Sequence, residues 1–229
     1  MTLAGGRSAY LAELFRLGGE ARHVSTSELA EALEVSPPAV VKMATRLETA
    51  GLVSRTRYRG MRLTQTGRKE GVRGLRSHRL AEAFLVRVMG YGWHEAHDLA
   101  DALAEIGDDG FVDRMEERSG FPRRCPHGEP IPDRDGNLPP LNDRPLFEAT
   151  EGSWVEISRV KTRDPEKLQY LERLGLLPGT KIRVAGKAPF AGPIRIEVAR
   201  EERVLGSELA RTLHVADPMG GDEPAGRPG

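Results

Sequence analysis

Residues 25–49 read STSELAEALEVSPPAVVKMATRLET. Ser25 and Glu28 have the spacing of a capping box, which predicts the start of a helix just before Leu29. After a short break, Ser36 is placed to cap a second helix that has two prolines in its first turn. Two helices joined by so short a break predict a helix-turn-helix.

The flanking sequence extends this motif in both directions. A helix is predicted over residues 7–19, because apolar residues recur on one face until a Gly-Gly pair ends it. Residues 52–64 alternate like two short strands around a turn at Arg59-Gly60. This is the order of a winged helix-turn-helix, although a generic three-helix bundle that binds a protein would share the same helices.

The charge distribution favours DNA over a protein partner. The chain has 229 residues, 34 of them basic and 34 acidic, so its formal net charge is zero. Residues 1–80 nevertheless carry a net charge of +7, residues 81–151 carry −9, and residues 152–229 carry +2. A basic first segment fits phosphate contacts, and base edges would be read from the second helix of the motif. The candidate DNA-binding residues are Ser36, Pro38, Ala39, Lys42 and Arg46 on the helix, with Arg55, Arg57, Tyr58 and Arg59 on the wing.

The rest of the chain predicts two further domains. A long helix ends near residue 89, shorter helices follow at about 93–106 and 109–118, and residues 119–145 form a linker rich in proline and glycine. Short strands and one helix at about 165–174 then suit a small β-barrel. We therefore expect a mainly α fold with α+β parts. The expected domains are a winged helix-turn-helix at 1–73, a helical domain at 74–144, a β-barrel at 145–217 and a disordered tail at 218–229.

Composition limits the compartment and the chemistry. One cysteine, Cys125, excludes an internal disulfide and any zinc site built from several thiolates. We find no signal peptide and no apolar run of about 18–20 residues, so we expect a cytoplasmic protein without a membrane partner. A nucleophilic role for Cys125 needs a base and a positioned pocket, neither of which the sequence shows.

A metal site is suggested by side chains spaced four residues apart. His78 and Glu82 share one face of the long helix, and His97, Asp101 and Glu105 share a face of the next. A glycine-broken connection would let these helices pack antiparallel. A solvated helix face is an equally good interpretation of the spacing, but clustered carboxylates in a segment of net charge −9 favour a cation.

Several motifs together resemble one family. They are SHRLAE at 77–82, His97 with acidic residues after it, CPHGEPIP at 125–132 and LQYLERLGLLPG at 168–179. In this order they resemble the diphtheria toxin repressor family, which includes iron-dependent repressors and manganese transport regulators. The resemblance covers about residues 7–215. It implies a homodimer that binds operator DNA when charged with Fe²⁺ or Mn²⁺, with a helical dimerisation and metal-binding domain and an SH3-like, FeoA-like C-terminal domain.

The resemblance assigns roles to particular residues. His78, Glu82 and His97 match the three ligands of one family metal site, and Arg79 matches an arginine that supports that site through an anion. The positions of the family's second site hold Ala9, Asp101, Ala104 and Glu105. Either that site is remodelled, with Glu13 recruited, or one metal per subunit suffices at the site of His78, Glu82 and His97. Asp101, one turn beyond His97, is the best added ligand.

The ligand types suggest the metal and the function. The methionine and cysteine ligands of iron-type second sites are absent, and an all-nitrogen-and-oxygen set leans toward Mn²⁺, with Fe²⁺ as the alternative. We expect a metal-dependent repressor of metal-uptake genes that is not an enzyme and has no small-molecule substrate. The rival hypotheses are a metal-independent DNA-binding regulator with a degenerate site and a metallohydrolase.

Overall fold

The computed structural model describes residues 6–218, which form two compact units. The first unit comprises residues 6–125 and 130–139, and the second comprises residues 126–129 and 140–218. Of the predicted disordered tail, all but residue 218 lies outside the described residues.

The first unit is helical apart from a two-stranded ribbon. Its elements are α1 (Arg7–Arg16), α2 (Thr26–Ala32), α3 (Pro37–Thr49), β1 (Val53–Thr56), β2 (Gly60–Leu63), α4 (Gln65–Arg87), α5 (Ala96–Ala104) and α6 (Asp109–Arg118). The ribbon is antiparallel, with Thr56 opposite Gly60 at its tip. Helices α1–α3 followed by this ribbon confirm the predicted winged helix-turn-helix order.

Local signals set the start of the helix-turn-helix. Ser25 Oγ accepts a hydrogen bond from Glu28 N at 3.1 Å, and Glu28 Oε2 accepts one from Ser25 N at 2.8 Å, which completes the capping box. Ser36 is the N-cap of α3 by its extended backbone, but its side chain makes no capping bond. We call α1–α3 together with the ribbon the DNA-binding head, after the role that the sequence predicts for it. Its core is apolar and includes the fully buried Leu11, Leu14, Leu29, Val40 and Leu47.

Helix α4 is the longest element and runs directly out of the wing. Thr64 caps it by accepting a hydrogen bond from Gly67 N at 3.0 Å. It continues without a break through position 73, where the sequence predicts a domain boundary. Gly71 allows α1 to lie against it, because a Cβ at this position would be 2.6 Å from the carbonyl oxygen of Leu11. The DNA-binding head and the helical part therefore share one rigid element.

Helices α5 and α6 pack on the second half of α4. Helix α5 is shorter than the predicted 93–106, because residues 93–95 form a turn before it begins at Ala96. Helix α6 has its predicted bounds, with Asp108 capping it by accepting from Phe111 N at 2.7 Å. Buried residues join the three helices, among them Leu80, Leu85, Ala96, Ala100 and Met115.

The second unit is a six-stranded antiparallel sheet with two short helices. Its elements are β3 (Arg144–Pro145), a 3₁₀ turn (Leu146–Glu148), β4 (Trp154–Val160), α7 (Pro165–Arg173), β5 (Lys181–Lys187), β6 (Ile194–Val198), β7 (Glu201–Leu205), α8 (Ser207–Ala210) and β8 (Leu213–Ala216). The strand order is β3-β8-β4-β5-β6-β7, so the last strand, β8, lies between β3 and β4. The predicted strands and helix are present. The sequence analysis missed β3, α8 and β8.

A buried ion pair anchors the second unit. Arg159 donates to both oxygens of Asp143, at 2.6 and 2.8 Å, and to Glu129 Oε1 at 3.1 Å. Burial alone would raise the pKa of Asp143, but the bonds from Arg159 and Ser158 outweigh it and lower the pKa to about 2. The carboxylate is therefore charged at every ordinary pH.

Candidate metal centre and nucleic-acid interface

Four of the predicted metal ligands meet between α4 and α5. Glu82 Oε1 lies 3.2 Å from His78 Nε2 and 3.3 Å from His97 Nδ1, so both imidazoles face one carboxylate oxygen. Asp101 Oδ1 lies 2.7 Å from His78 Nδ1. Ligand atoms of His78, His97 and Asp101 all lie within 4.8 Å of one another. Each helix contributes one pair spaced by four residues, which places both members on the facing side.

Glu13 reaches this group from α1. It is only 6% exposed, and its carboxylate pairs with Arg16 Nη1 at 3.0 Å. Burial raises the pKa of Glu13, an effect that the neighbouring Arg16, His78 and His97 partly offset. A buried carboxylate on α1 that interacts with the histidines of α4 and α5 joins the DNA-binding head to the cluster.

The carboxylates of the cluster favour the protonated form of His78. Burial alone would lower the pKa of this imidazole, but the carboxylates of Glu82 and Asp101 outweigh it and raise the pKa to about 9. The pKa of Asp101 shifts in the opposite direction. Burial would raise its pKa, but the bond to His78 lowers it below its usual value. Both shifts favour an ion pair between His78 and Asp101.

The donor set fits a divalent first-row cation. Two imidazoles and up to three carboxylates provide nitrogen and oxygen ligands, which such metals bind. The carboxylates of Glu13 and Glu82 are both buried, and a cation bound by the group would offset the cost of burying their charge. We name these five residues, Glu13, His78, Glu82, His97 and Asp101, the five-residue cluster.

Glu105 does not belong to this group in the structure. Its carboxylate is exposed at the end of α5, and Oε1 accepts a hydrogen bond from Ala9 N at 3.4 Å. The two alanines at family ligand positions, Ala9 and Ala104, offer no donor side chain. Glu105 thus lies at the first turn of α1, which lacks a side-chain cap of its own.

Two arginines on α4 bind the segment 130–132. The buried guanidinium of Arg79 donates to the carbonyl oxygen of Pro130. Arg76 donates to the carbonyl of Pro132 at 2.7 Å and pairs with Glu116 at 2.6 Å. The sequence predicts an anion-supporting role for Arg79. It did not point to Arg76, whose only signal was its position one helical turn before Arg79.

Cys125 gains a neighbour that its sequence position did not indicate. The thiol is buried, and its Sγ lies within 4.8 Å of a carboxylate oxygen of Glu82. The residue two positions on, His127, belongs to the second unit, where its carbonyl oxygen accepts from Val160 N at 2.9 Å. The thiol of Cys125, a soft metal ligand, therefore lies close to the carboxylate of Glu82.

The predicted DNA-binding residues lie on the outer surface of α3 and the ribbon. Ser36, Pro38, Lys42 and Arg46 are exposed, whereas Ala39 is half-buried. At the tip of the ribbon Tyr58 is 90% exposed with a φ of 66°, and the guanidinium of Arg57 lies 4.7 Å from the centre of its ring. Arg59 is also exposed at this tip.

Arg55 differs from the other wing arginines because it is tied to α3. Its Nη1 donates to Thr45 Oγ1 at 3.0 Å and lies 3.5 Å from Glu48 Oε2. Arg55 therefore links strand β1 of the wing to helix α3.

Comparison with known proteins agrees with this arrangement. Three family models match in chain order: iron dependent repressor, N-terminal DNA binding domain, over residues 7–61; iron dependent repressor, metal binding and dimerisation domain, over 64–133; and FeoA domain, over 144–217. The FeoA match agrees with the expected SH3-like domain. No helix of the described residues has the length and apolarity that a bilayer crossing requires.

Individual relatives span most of the chain. It is 29% identical over 184 residues to the diphtheria toxin repressor of Corynebacterium glutamicum, covering 76% of this chain and 80% of that protein. Identity to the iron-dependent repressor IdeR of Mycobacterium tuberculosis is 28% over 218 residues, covering 90% and 94%. A solved manganese-dependent transcriptional repressor in complex with manganese has a TM-score of 0.84 and 32% identity, covering 93% of this chain and all of that one. The repressor ScaR with bound Cd²⁺ has a TM-score of 0.75 and 33% identity, covering 93% and 100%.

Proposed function

Because this chain belongs to the iron-dependent repressor family, which includes the diphtheria toxin repressors, we propose that it is a manganese-activated homodimer that represses metal-uptake genes. Members of the family are metal-dependent DNA-binding repressors and not enzymes, so the metallohydrolase hypothesis is set aside. The observation that carries the proposal is the five-residue cluster, because its side chains come from α1, α4 and α5.

We assign the metal to this cluster. A bound divalent cation supplies the positive charge that neutralises its carboxylates. His78, Glu82, His97 and Asp101 would hold it from α4 and α5, and Glu13 would hold it from the head. Since Glu13 lies on the helix that also builds the core of the head, occupancy would fix the orientation of the head. Glu105, at the start of α1, is left out of the ligand set.

Manganese is favoured by the donor types. All five side chains of the cluster bind through nitrogen or oxygen, and Mn²⁺ prefers such ligands. Fe²⁺ is the alternative, because affinity alone would let it bind the same donors. Cys125 is the residue that could change this order, since a thiolate favours softer metals.

The homodimer is supported by apolar side chains left uncovered in the first unit. Five of them lie on or just beyond α4, α5 and α6: Val88, Met89, Leu99, Ile106 and Phe121. Exposed apolar surface on a protein of this kind marks an interaction site. In a two-fold dimer the paired α3 helices would meet successive major-groove faces about 34 Å apart. We place this regulator in the cytoplasm, where operator DNA is found.

The test is operator binding across a metal series. A duplex enriched from a random pool by the Mn²⁺-loaded protein would be titrated by fluorescence anisotropy with Mn²⁺, with Fe²⁺ and with chelator. We expect Mn²⁺ to strengthen binding at least about tenfold and His78→Ala or His97→Ala to abolish this gain. Asp98→Ala, an exposed position on α5, should retain it.

Three results would contradict parts of the proposal. Equal affinity with metal and with chelator would favour the metal-independent regulator. Activation by Fe²⁺ alone would overturn the choice of manganese. For the interface, Arg57→Ala should weaken binding to all sequences alike and flatten its salt dependence, and a sequence-specific loss would contradict a phosphate contact.

A further inference from the structure

The first half of α3 presents an apolar surface outward. Pro37 and Pro38 are exposed in its first turn, and Val41 is 45% exposed one turn later. Proline has no backbone N–H, so two of the four donors that normally point out of a helix N-terminus are missing. This helix start is therefore poorly suited to grip a phosphate and well suited to an apolar contact.

The polar groups beside Val41 are engaged within the protein. Thr45 Oγ1 donates to the carbonyl oxygen of Val41 at 3.1 Å and accepts from Arg55 at 3.0 Å. Glu48, on the same side of the helix, lies 3.5 Å from that guanidinium. The side of α3 that carries Val41 thus presents its methyl groups to solvent, whereas the polar atoms of Thr45 and Glu48 already have partners within the protein.

We propose that Val41 is a specificity-determining residue that contacts the C5-methyl group of a thymine in each operator half-site. The inference rests on the proposed placement of α3 in the major groove. Thymine is the base that shows a methyl group there, and apolar side chains recognise it by contact. The exposed ammonium of Lys42, the next residue, suits the O6 and N7 acceptors of a neighbouring guanine.

The expected loss of affinity follows from the free energy of burying one methyl group. Removing one methyl group from an apolar contact costs about fourfold in affinity. The same loss is expected whether the methyl is taken from the base or its contact is taken from the protein. The two losses should not add, since they remove one and the same interaction.

The experiment is a double-mutant cycle on the Mn²⁺-loaded dimer. Each thymine in one half-site of the enriched duplex is replaced in turn by uracil, which removes only the methyl group. Affinities are measured by anisotropy at one fixed salt concentration for the wild type, Val41→Ala and the control Thr49→Ala. We expect one thymine whose replacement weakens the wild type and Thr49→Ala about fourfold but leaves Val41→Ala unchanged.

The outcomes separate this inference from the function beneath it. A uracil penalty that persists in Val41→Ala at every position, a wild type indifferent to all replacements, or an enriched half-site without thymine would overturn the role of Val41 alone. Failure of the metal-loaded protein to enrich any sequence would overturn the proposed interface, and the role of Val41 with it. Because Val41 is exposed, its alanine variant should keep the thermal stability of the wild type, which circular dichroism would check.

Discussion

The Nδ1 atom of His78 lies 2.7 Å from Oδ1 of Asp101, so one imidazole on α4 is shared between a carboxylate on each of two helices. The other side of the ring faces Glu82 on its own helix. This position explains why the pKa of His78 rises to about 9 despite its burial. A metal ion that binds His78 must displace any proton on this imidazole, so metal binding and protonation compete.

Replacement of Asp101 tests this relationship. We expect Asp101→Asn to weaken Mn²⁺ binding by about tenfold or more, because the amide keeps the shape of the side chain but loses its negative charge. Isothermal titration calorimetry would measure the affinity. The matched control is Asp98→Asn, an exposed carboxylate on the same helix that should leave the affinity unchanged. Equal effects of both variants would indicate a long-range charge effect instead of a ligand.

The close approach of α1 and α4 gives a second prediction. A methyl group at Gly71 would meet the carbonyl oxygen of Leu11 at 2.6 Å, so Gly71→Ala must push α1 away. We expect a loss of about 1–3 kcal/mol in the free energy of unfolding. Mn²⁺ affinity should also weaken, because Glu13 moves with α1. Urea unfolding and calorimetry would measure the two effects.

Gly110 provides the control for that substitution. It is also helical, but a Cβ there would meet only a side-chain oxygen of Asp108, at 3.3 Å. Gly110→Ala should therefore keep or slightly raise stability and leave metal affinity unchanged. If Gly71→Ala lowered stability without affecting metal affinity, Glu13 would not be a ligand.

The sequence predicted those parts of the fold that local signals determine. The capping box at Ser25 and Glu28 and the bounds of α6 depend on residues within one helical turn, and both are found as expected. Strand β8 was missed because its partners, β3 and β4, lie more than fifty residues away in the chain. The strand itself has only four residues, too few for its alternation of buried and half-buried side chains to stand out in the sequence.

The same division applies to the candidate site. Spacing by four placed His78 with Glu82 and His97 with Asp101 on single helix faces, and only the packing of α4 on α5 brings the pairs together. The proximity of Cys125 to Glu82 joins residues 43 positions apart, so no local pattern could indicate it. The bond from Arg55 to Thr45 could not be predicted either, because it depends on how the ribbon packs against α3.

The second unit allows a prediction on pH. The pKa of Asp143 is lowered from 3.8 to about 2, so its ion pair with Arg159 stabilises the folded state fully above about pH 4. That contribution is lost as the pH falls toward 2. Asp143→Asn should cost about 3 kcal/mol at pH 7, because Arg159 would stay buried with fewer partners. The difference between variant and wild type should then shrink between pH 4 and 2.

Tryptophan fluorescence can follow this unit selectively. The chain has two tryptophans, and in a Trp93→Phe background the signal in urea unfolding comes from Trp154 on β4 alone. Asp217→Asn serves as control, since its pair with Arg144 is largely exposed and should contribute little to stability. A stability difference for Asp143→Asn that stays constant from pH 4 to 2 would contradict the lowered pKa.

The thiol beside Glu82 bears on which metal the protein selects. A thiolate prefers Zn²⁺ and Cd²⁺ to Mn²⁺, whereas imidazole and carboxylate ligands suit Mn²⁺. We therefore expect Cys125→Ser to weaken Zn²⁺ binding by about tenfold or more and Mn²⁺ binding by less than about threefold, as measured by competition with a chelator. Equal losses for both metals would make the thiolate a ligand of manganese as well, and the argument from nitrogen and oxygen donors would fail. No loss for either metal would place the thiol outside the coordination sphere, leaving metal choice to the five-residue cluster alone.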